Sequence, residues 1–190
     1  MRRNLLLLAL LTVLSATACG ENSNTESTAN TETRLHTETT LMVDLETVVR
    51  AGNVVPVEGI TTAGQPNAAA LKIFAEQGYR TVIDLRAEPE DRGIDEATVI
   101  NDLGMEYIVF PIDNLEAINF DNASELSRLI VESEGPVLVH CLSSNRVGAL
   151  FALQKSLDGA DDEVALEHGR EAGMTRLEGR VKEVLSKDQQ

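Results

Sequence analysis

The fold is decided by residues 136–150, which read PVLVHCLSSNRVGAL. The run from Val137 to His140 has the composition of a buried β-strand, and it leads directly to Cys141. Small and polar residues follow, and helical signals begin at Val147. A strand that passes through a short loop into a helix is the unit from which parallel α/β sheets are built. We therefore expect Cys141 at the carboxyl end of a strand in such a sheet.

Strand and helix signals alternate along the rest of the chain. The hydrophobic patterns predict strands over residues 81–85, 106–112 and 136–140, and a short strand or extended lead-in over residues 54–60. They predict helices over residues 68–78, 94–103, 122–134, 147–157, 161–172 and 176–186. Residues 61–66 indicate a turn, and Asn67 and Asp121 are expected to cap helices. The alternation predicts a three-layer α/β domain with a mainly parallel central sheet flanked by helices.

The amino-terminal segment indicates export. Arg2 and Arg3 precede a run that is apolar from Leu5 to Leu14 except for Thr12, which is typical of a secretory signal peptide. The run is shorter than the ~20 residues that a transmembrane helix needs. We expect a signal peptide over residues 1–18, a disordered polar tether over 19–45 and one α/β domain over 46–190.

Two processing routes fit the residues before Cys19. Ala16, Thr17 and Ala18 allow ordinary cleavage, whereas Cys19 itself allows lipoprotein cleavage that leaves it acylated. The polar tether that follows favours lipidation, although Ala16 stands where bacterial lipoproteins usually carry Leu. The resulting hypothesis is a periplasmic or cell-envelope protein that is anchored to the membrane only through a lipid on Cys19.

Charge and cysteine count restrict the possible functions. The net charge of −15 argues against nucleic acid as a partner. Cys19 and Cys141 are the only cysteines, so Cys141 has no evident disulfide partner. Because an unpaired thiol is prone to oxidation in an exported protein, its presence suggests a chemical use. The sequence shows no metal-ligand spacing.

The loop after Cys141 has the composition of an anion-binding site. Backbone amides at a helix N-terminus bind anions and favour a thiolate, which would make Cys141 a nucleophile. Arg146 can hold two oxygens of a phosphate. The predicted anion-binding residues are Leu142, Ser143, Ser144, Asn145 and Arg146. A buried inert cysteine followed by a solvent-facing arginine remains the alternative.

Several motifs together resemble a known family. They are the turn at residues 61–66, GYRTVIDLR at residues 78–86, GMEY at residues 104–107, and the loop from His140 to Gly148. Over residues 54–155 they resemble the phosphatase-like domain of beta-lactamase-hydrolase-like proteins, which is related to tyrosine and dual-specificity phosphatases. This resemblance implies a phosphatase-like fold.

The resemblance also implies roles for individual residues. Cys141 would form a phosphocysteine, Asp113 would protonate the leaving oxygen, and His140 would tune the nucleophile from behind the loop. Two alternatives remain open, namely a turn or capping role for Asp113 and a purely structural role for His140. Arg86 is expected to pair with Glu88 or Glu90 at the surface rather than to face the pocket.

Two residues of the loop depart from the phosphatase pattern. Arg146 is five residues after Cys141, whereas the phosphatase signature places arginine six residues after the cysteine; the shorter spacing is associated with rhodanese-like sulfurtransferases. Val147 stands where phosphatases usually carry Ser or Thr, so Ser143 or Ser144 would have to supply a hydroxyl.

Three hypotheses follow from the sequence. The first is a cysteine-dependent phosphatase that acts on a phosphorylated protein or a small phosphoester, with no cofactor or metal. The second is a rhodanese-like sulfurtransferase that carries a persulfide on Cys141, and the third is a non-catalytic anion-binding module. The sequence does not indicate an oligomeric state.

Overall fold

The computed structural model describes residues 41–188. The predicted signal peptide, residues 19–40 of the predicted tether, and Cys19 lie outside the described residues. Within them the helices are α1 (Leu45–Ala51), α2 (Ala68–Glu76), α3 (Glu96–Asp102), α4 (Phe120–Glu132), α5 (Asn145–Leu157), α6 (Asp162–Glu171) and α7 (Glu178–Asp188). The strands are β1 (Ile60–Ala63), β2 (Thr81–Asp84), β3 (Glu106–Val109) and β4 (Val137–His140).

The four strands form one sheet in the order β1-β4-β2-β3, and every pairing is parallel. At the carboxyl edge, His140 lies opposite Ala63 on one side and Asp84 on the other. The two central strands are buried at every position. The residues that follow β2 and β4 therefore meet at one edge, where ligands bind in parallel α/β sheets.

Helices cover both faces of the sheet. Val82 and Leu138 point to the face covered by α1, α2 and α3, whereas Ile83 and Val139 point to the face covered by α4, α5, α6 and α7. This alternation follows from the two-residue period of side chains in a strand. The predicted three-layer α/β class is confirmed.

The first strand was predicted in the wrong place. The extended segment was expected over residues 54–60 with a turn at 61–66, but β1 spans Ile60–Ala63. Thr61 and Thr62 are both buried, and the Thr62 hydroxyl donates to the Ala172 carbonyl at 3.0 Å. Pairing with β4 makes these residues a strand, because it satisfies backbone groups that a turn would leave to solvent.

Side-chain caps confirm one expectation and correct another. The Asn67 side chain accepts from the Ala70 amide at 2.9 Å and caps α2, as predicted. Asn119, not Asp121, caps α4, since its side chain accepts from the Asn122 amide at 2.8 Å. Asp121 lies in the first turn of that helix, where a negative charge is favourable.

The domain extends into residues 41–45, which were assigned to the tether. Leu41 is buried, and Met42 forms a bridge with Thr62 next to the sheet. The Met42 amide also donates to the Glu171 carbonyl at 3.0 Å. The domain therefore includes residues 41–45.

Among residues 41–188, no helix combines the length and the apolar character required to span a bilayer.

Candidate functional site

Cys141 lies directly after β4, at the carboxyl edge of the sheet, as the sequence predicted. It is a free cysteine within the described residues and is only 1% exposed. The carbonyl of the preceding residue, His140, accepts from the Leu85 amide at 2.9 Å, which fixes the end of β4 against the end of β2. The thiol is thus held at a defined place beneath the loop that follows it.

The loop from Leu142 to Ser144 turns the chain sharply from the strand into α5. Ser144 adopts a left-handed backbone conformation, with φ 59°, which is uncommon for a residue with a side chain. The Leu142 carbonyl accepts from the Gln65 amide at 3.1 Å. It also lies so close to Gly64 that a Cβ there would be 3.0 Å from it. Gly64 therefore permits the close approach of two backbone segments.

The amino terminus of α5 adjoins this loop and begins with amides that have no partner within the helix. The Gly148 amide bonds to the Ser144 carbonyl at 2.9 Å, so the amides that precede it have no partner inside the helix. The helix begins without a side-chain cap. These donors, together with the positive end of the helix dipole, can hold an anion next to Cys141.

Two of the predicted anion-binding residues direct their side chains elsewhere. The Ser144 hydroxyl is buried and donates to the Ala172 carbonyl at 2.8 Å. The Asn145 side-chain oxygen accepts from the amides of Thr175 and Arg176 at 2.8 and 3.0 Å. These bonds brace the loop against the segment between α6 and α7, so the Ser144 hydroxyl proton is not available to an anion. Leu142 and Ser143 are exposed at the rim.

Arg146 is held in place by Glu90. The two Nη atoms of the guanidinium donate to the two carboxylate oxygens of Glu90 at 2.6 and 2.8 Å, and Nη1 also donates to the Ile112 carbonyl at 3.0 Å. The hydrogen bonds from Arg146 lower the pKa of Glu90 to about 2, and the bond to Glu90 raises the pKa of Arg146. The Nε–H edge of the guanidinium takes no part in these bonds and can bind an anion.

Arg86 shares the same carboxylate. Its Nε atom lies 3.1 Å from a Glu90 oxygen, as the predicted pairing with Glu88 or Glu90 allowed. The expected surface location was wrong, because Arg86 is only 3% exposed; a second nitrogen donates to the Asp91 carbonyl at 2.8 Å. Glu90 therefore connects two arginines, a role that the sequence did not predict.

Asp113 lies on the loop after β3, close to Arg146. Both residues line a cavity of about 310 Å³. The Asp113 carboxylate is exposed and accepts from the Asn114 side chain at 2.7 Å. The same loop is held at Leu115, whose carbonyl accepts from Arg180 of α7 at 3.0 Å. Asp113 and Arg146 therefore share this cavity, which Cys141 does not line.

His140 lies behind the loop in a fully buried polar cluster. Its Nε2 atom is 3.3 Å from a Glu96 oxygen and 3.8 Å from an Asp84 oxygen. These three side chains form the one group within residues 41–188 that could hold a metal ion. However, the Arg92 Nε atom lies 2.7 Å from Asp84 and 3.5 Å from Glu96. The guanidinium already supplies the positive charge, so we assign no metal to this cluster.

The chain matches one family model and several curated proteins. Residues 54–184 match the family described as DSP-PTPase phosphatase fused to NAD+ kinase. A beta-lactamase hydrolase-like protein from Xylella fastidiosa is 36% identical over 118 residues, which make up 58% of this chain and 27% of that protein. A protein of the same description from Agrobacterium fabrum is 30% identical over 106 residues, which make up 54% of this chain and 24% of that protein. The aligned part thus spans about a quarter of these curated relatives.

Solved structures share the fold. A putative phosphatase from Neisseria meningitidis superposes with a TM-score of 0.57 at 17% identity, covering 66% of this chain and 92% of that chain. TpbA from P. aeruginosa, in complex with pTyr, gives a TM-score of 0.53 at 18% identity, covering 66% and 77%. Tk-PTP in its active form gives a TM-score of 0.51 at 18% identity, covering 67% of this chain and 89% of that chain.

Proposed function

The chain belongs to the family of DSP-PTPase phosphatases fused to NAD+ kinase, and from this premise we propose that it hydrolyses phosphoesters through a phosphocysteine on Cys141. The observation that carries the proposal is the position of Cys141 at the strand end, next to the first amides of α5 and to an arginine that Glu90 holds in place. These are the groups that in-line transfer of a phosphoryl group to sulfur requires.

The proposed reaction has two steps. The Cys141 thiolate attacks phosphorus, a sulfur–phosphorus bond forms and the phosphorus–oxygen bond to the leaving group breaks, while Asp113 donates a proton to the departing oxygen. Water then attacks the phosphocysteine and transfers its proton to Asp113, which releases inorganic phosphate and restores the thiolate. The loop amides and Arg146 hold the phosphoryl oxygens throughout. The substrate is a phosphorylated protein or a small phosphoester.

One feature favours a second function. Arg146 follows Cys141 by five residues, the spacing associated with rhodanese-like sulfurtransferases. In that reaction the thiolate attacks the outer sulfur of thiosulfate, a persulfide forms on Cys141 and sulfite leaves. Cyanide then takes the sulfur as thiocyanate and restores the thiolate. A non-catalytic anion-binding module is the third possibility.

One set of assays separates these functions. The mature chain, Cys141→Ser and Asp113→Asn are incubated with an aryl phosphate, and separately with thiosulfate and cyanide. We expect phosphate release that Cys141→Ser abolishes and Asp113→Asn reduces about 100-fold. Asp121→Asn, an exposed aspartate in the first turn of α4, is the matched control and should keep full activity.

The outcomes of these assays differ for each function. Phosphate release that persists in Cys141→Ser, or no release at all, contradicts the phosphatase. Thiocyanate that depends on Cys141 supports the sulfurtransferase. Binding of phosphate with no turnover in either assay supports the anion-binding module.

We also propose that the protein is exported and held at the cell envelope by a lipid on Cys19, because the sequence before Cys19 is typical of a signal peptide. Mass spectrometry of the mature amino terminus tests this proposal. A diacylglyceryl-modified Cys19 is expected. An unmodified amino terminus would contradict lipidation, and an uncleaved Met1 would contradict export.

A further inference from the structure

The buried cluster behind Cys141 contains a histidine whose ring nitrogens are left without partners. His140 is 0% exposed, and neither Nδ1 nor Nε2 makes a hydrogen bond to the described residues. A buried polar group without a partner is costly. The closest acidic group is Glu96, whose Oε1 atom lies 3.3 Å from Nε2. A single proton between Oε1 of Glu96 and Nε2 of His140 would give both atoms a hydrogen bond.

Asp84 is not available to supply that proton. One of its oxygens accepts from the Arg86 amide at 2.8 Å. The other accepts from Arg92 at 2.7 Å and from the Tyr107 hydroxyl at 2.8 Å. Asp84 is therefore the main partner of Arg92 at 2.7 Å, whereas Glu96 lies farther from the same Nε atom, at 3.5 Å.

Glu96 is placed to carry the proton. It is only 2% exposed, and its Oε1 atom accepts from the Gln65 side chain at 3.0 Å. Burial raises the pKa of Glu96 to about 7 and lowers the pKa of His140 to about 4. The charge of Asp84 raises both of these pKa values, whereas Arg92 lowers both. A neutral carboxyl group donating to a neutral imidazole is the state that these shifts favour below pH 7.

Charged and titratable groups face this pair from every neighbouring element. They are Asp84 at the end of β2, Arg86 and Arg92 in the loop after it, Tyr107 of β3, and Cys141 after β4. With one proton on Glu96, Arg92 balances Asp84 and Glu90 pairs with Arg86, so Glu96 and His140 add no charge to the cluster. Without that proton the cluster has an additional buried negative charge directly behind the loop.

We propose that Glu96 is a positioning residue for the Cys141 loop, because its carboxyl group shares one buried proton with His140. When Glu96 donates to Nε2, the proton of the neutral ring lies on Nδ1. The Cys141 backbone, which acts to raise the pKa of His140, is the neighbouring acceptor that this proton would reach. Loss of the Glu96 proton removes this arrangement and disfavours the thiolate. The inference rests on Cys141 being the reactive thiol of the proposed function, but it does not require turnover.

The first test follows alkylation of Cys141 by iodoacetamide between pH 5.5 and 9.5. Peptide mass spectrometry separates the modification of Cys141 from that of Cys19. Wild-type reactivity should rise over a wider pH range than a single ionisation gives, because ionisation of Glu96 opposes thiolate formation. Glu96→Gln keeps an amide donor and cannot ionise. It should follow a single-ionisation curve and react at least about threefold faster near pH 8.

Glu88→Gln is the matched control, since Glu88 is an exposed glutamate in the loop after β2. Its profile should coincide with that of the wild type. A Glu96→Gln profile identical to the wild type overturns the inference, as does an equal change in Glu88→Gln. Because alkylation needs no phosphate release, failure of the phosphatase assay leaves this result interpretable.

The second test uses the wild-type chain, so that it stands even if Glu96→Gln does not fold. Imidazole ¹⁵N NMR, with His140→Gln to assign the signals, reports which ring nitrogen carries hydrogen. We expect the Nδ1–H form at pH 6 and a change in the ring shifts centred near pH 7. An Nε2–H form at pH 6, or ring shifts that stay constant from pH 6 to 8, would contradict proton sharing.

Discussion

Glu90 is the residue on which the position of Arg146 depends. Its carboxylate accepts both Nη atoms of Arg146 and also pairs with Arg86, so the guanidinium is fixed before any substrate arrives. An arginine that is already positioned loses little side-chain entropy on binding an anion. Glu90 is therefore part of the anion site although it repels anions itself.

Glu90→Gln should reduce kcat/KM for an aryl phosphate by about 10- to 100-fold, because a neutral amide cannot hold the guanidinium through two charge-assisted bonds. Steady-state kinetics at pH 7 measure the effect. Glu88→Gln, two residues earlier in the same loop and exposed, should change the rate less than twofold. An increased rate in Glu90→Gln would instead mean that Glu90 competes with the substrate for Arg146.

Asn145 fixes the segment between α6 and α7 to the start of α5. One side-chain oxygen accepts from three successive amides, those of Thr175, Arg176 and Leu177. Asn145→Ala leaves these amides without their acceptor and should cost about 2 kcal/mol in the free energy of unfolding. Urea unfolding measures this change, and hydrogen exchange at residues 175–177 should accelerate.

Asn101→Ala is the control for this substitution, since Asn101 is an exposed asparagine within α3. It should change the free energy of unfolding by less than about 0.5 kcal/mol. Equal effects of the two substitutions would show that the Asn145 bonds contribute nothing beyond helix propensity.

At the scale of elements, α5 and α6 cross where two glycines meet. A Cβ on Gly148 would lie 2.3 Å from the Met174 amide nitrogen and 2.4 Å from the Gly169 carbonyl. Both neighbours are backbone atoms, so neither can move without shifting a helix or the loop that braces Ser144. The absence of a side chain at Gly148 thus brings α6 close enough to support the loop after Cys141.

Gly148→Ala should destabilise the domain by about 2 to 3 kcal/mol through overpacking. The matched substitution is Gly179→Ala in α7, where a Cβ would meet nothing within 4 Å. That change should be neutral or stabilising by up to about 1 kcal/mol, since alanine favours helix. Urea unfolding of the two variants gives the comparison, and a Gly148→Ala variant as stable as the wild type would disprove the close packing.

The sequence predicted the elements whose patterns are local and missed those that depend on distant residues. The strand before Cys141 and the helix after it were predicted because an apolar run and a helical period adjoin each other. β1 was missed because Thr61 and Thr62 stand next to Gly64 and Pro66, and only pairing with β4 makes them a strand. Propensity is a weak guide where tertiary pairing decides.

The same limit explains what was predicted of the candidate site. Cys141 and Arg146 are close in sequence, so their spacing indicated an anion loop. Glu90 and Glu96 act on that loop from more than forty residues away, and a charged loop or a helix start carries no signal of such contacts. A single sequence contains the chemistry of these carboxylates but not their distance from the cysteine.

At the scale of the whole molecule, two buried groups oppose each other in the pH dependence of stability. The pKa of Glu96 is raised from 4.5 to about 7, so between these values the folded state retains a proton that the unfolded chain loses. Stability therefore falls as the pH rises through that window. The pKa of His140 is lowered from 6.5 to about 4. Its contribution to stability therefore rises with pH between 4 and 6.5, and in the wild type the two slopes largely cancel.

Single substitutions of Glu96 and His140 should reveal separately how each residue makes the free energy of unfolding depend on pH. Relative to the wild type, Glu96→Gln should gain stability from pH 4.5 to 6.5, and His140→Gln should lose it over the same range, each by up to about 1.4 kcal/mol per pH unit. Urea unfolding at pH 5, 6 and 7 gives these differences. Subtraction of the wild-type curve removes the contributions of groups common to all three proteins, such as Glu90, whose lowered pKa acts below pH 4.5.

Difference curves that are flat across this range would mean that Glu96 and His140 titrate as ordinary exposed groups. In that case the buried pair could not hold a proton behind Cys141.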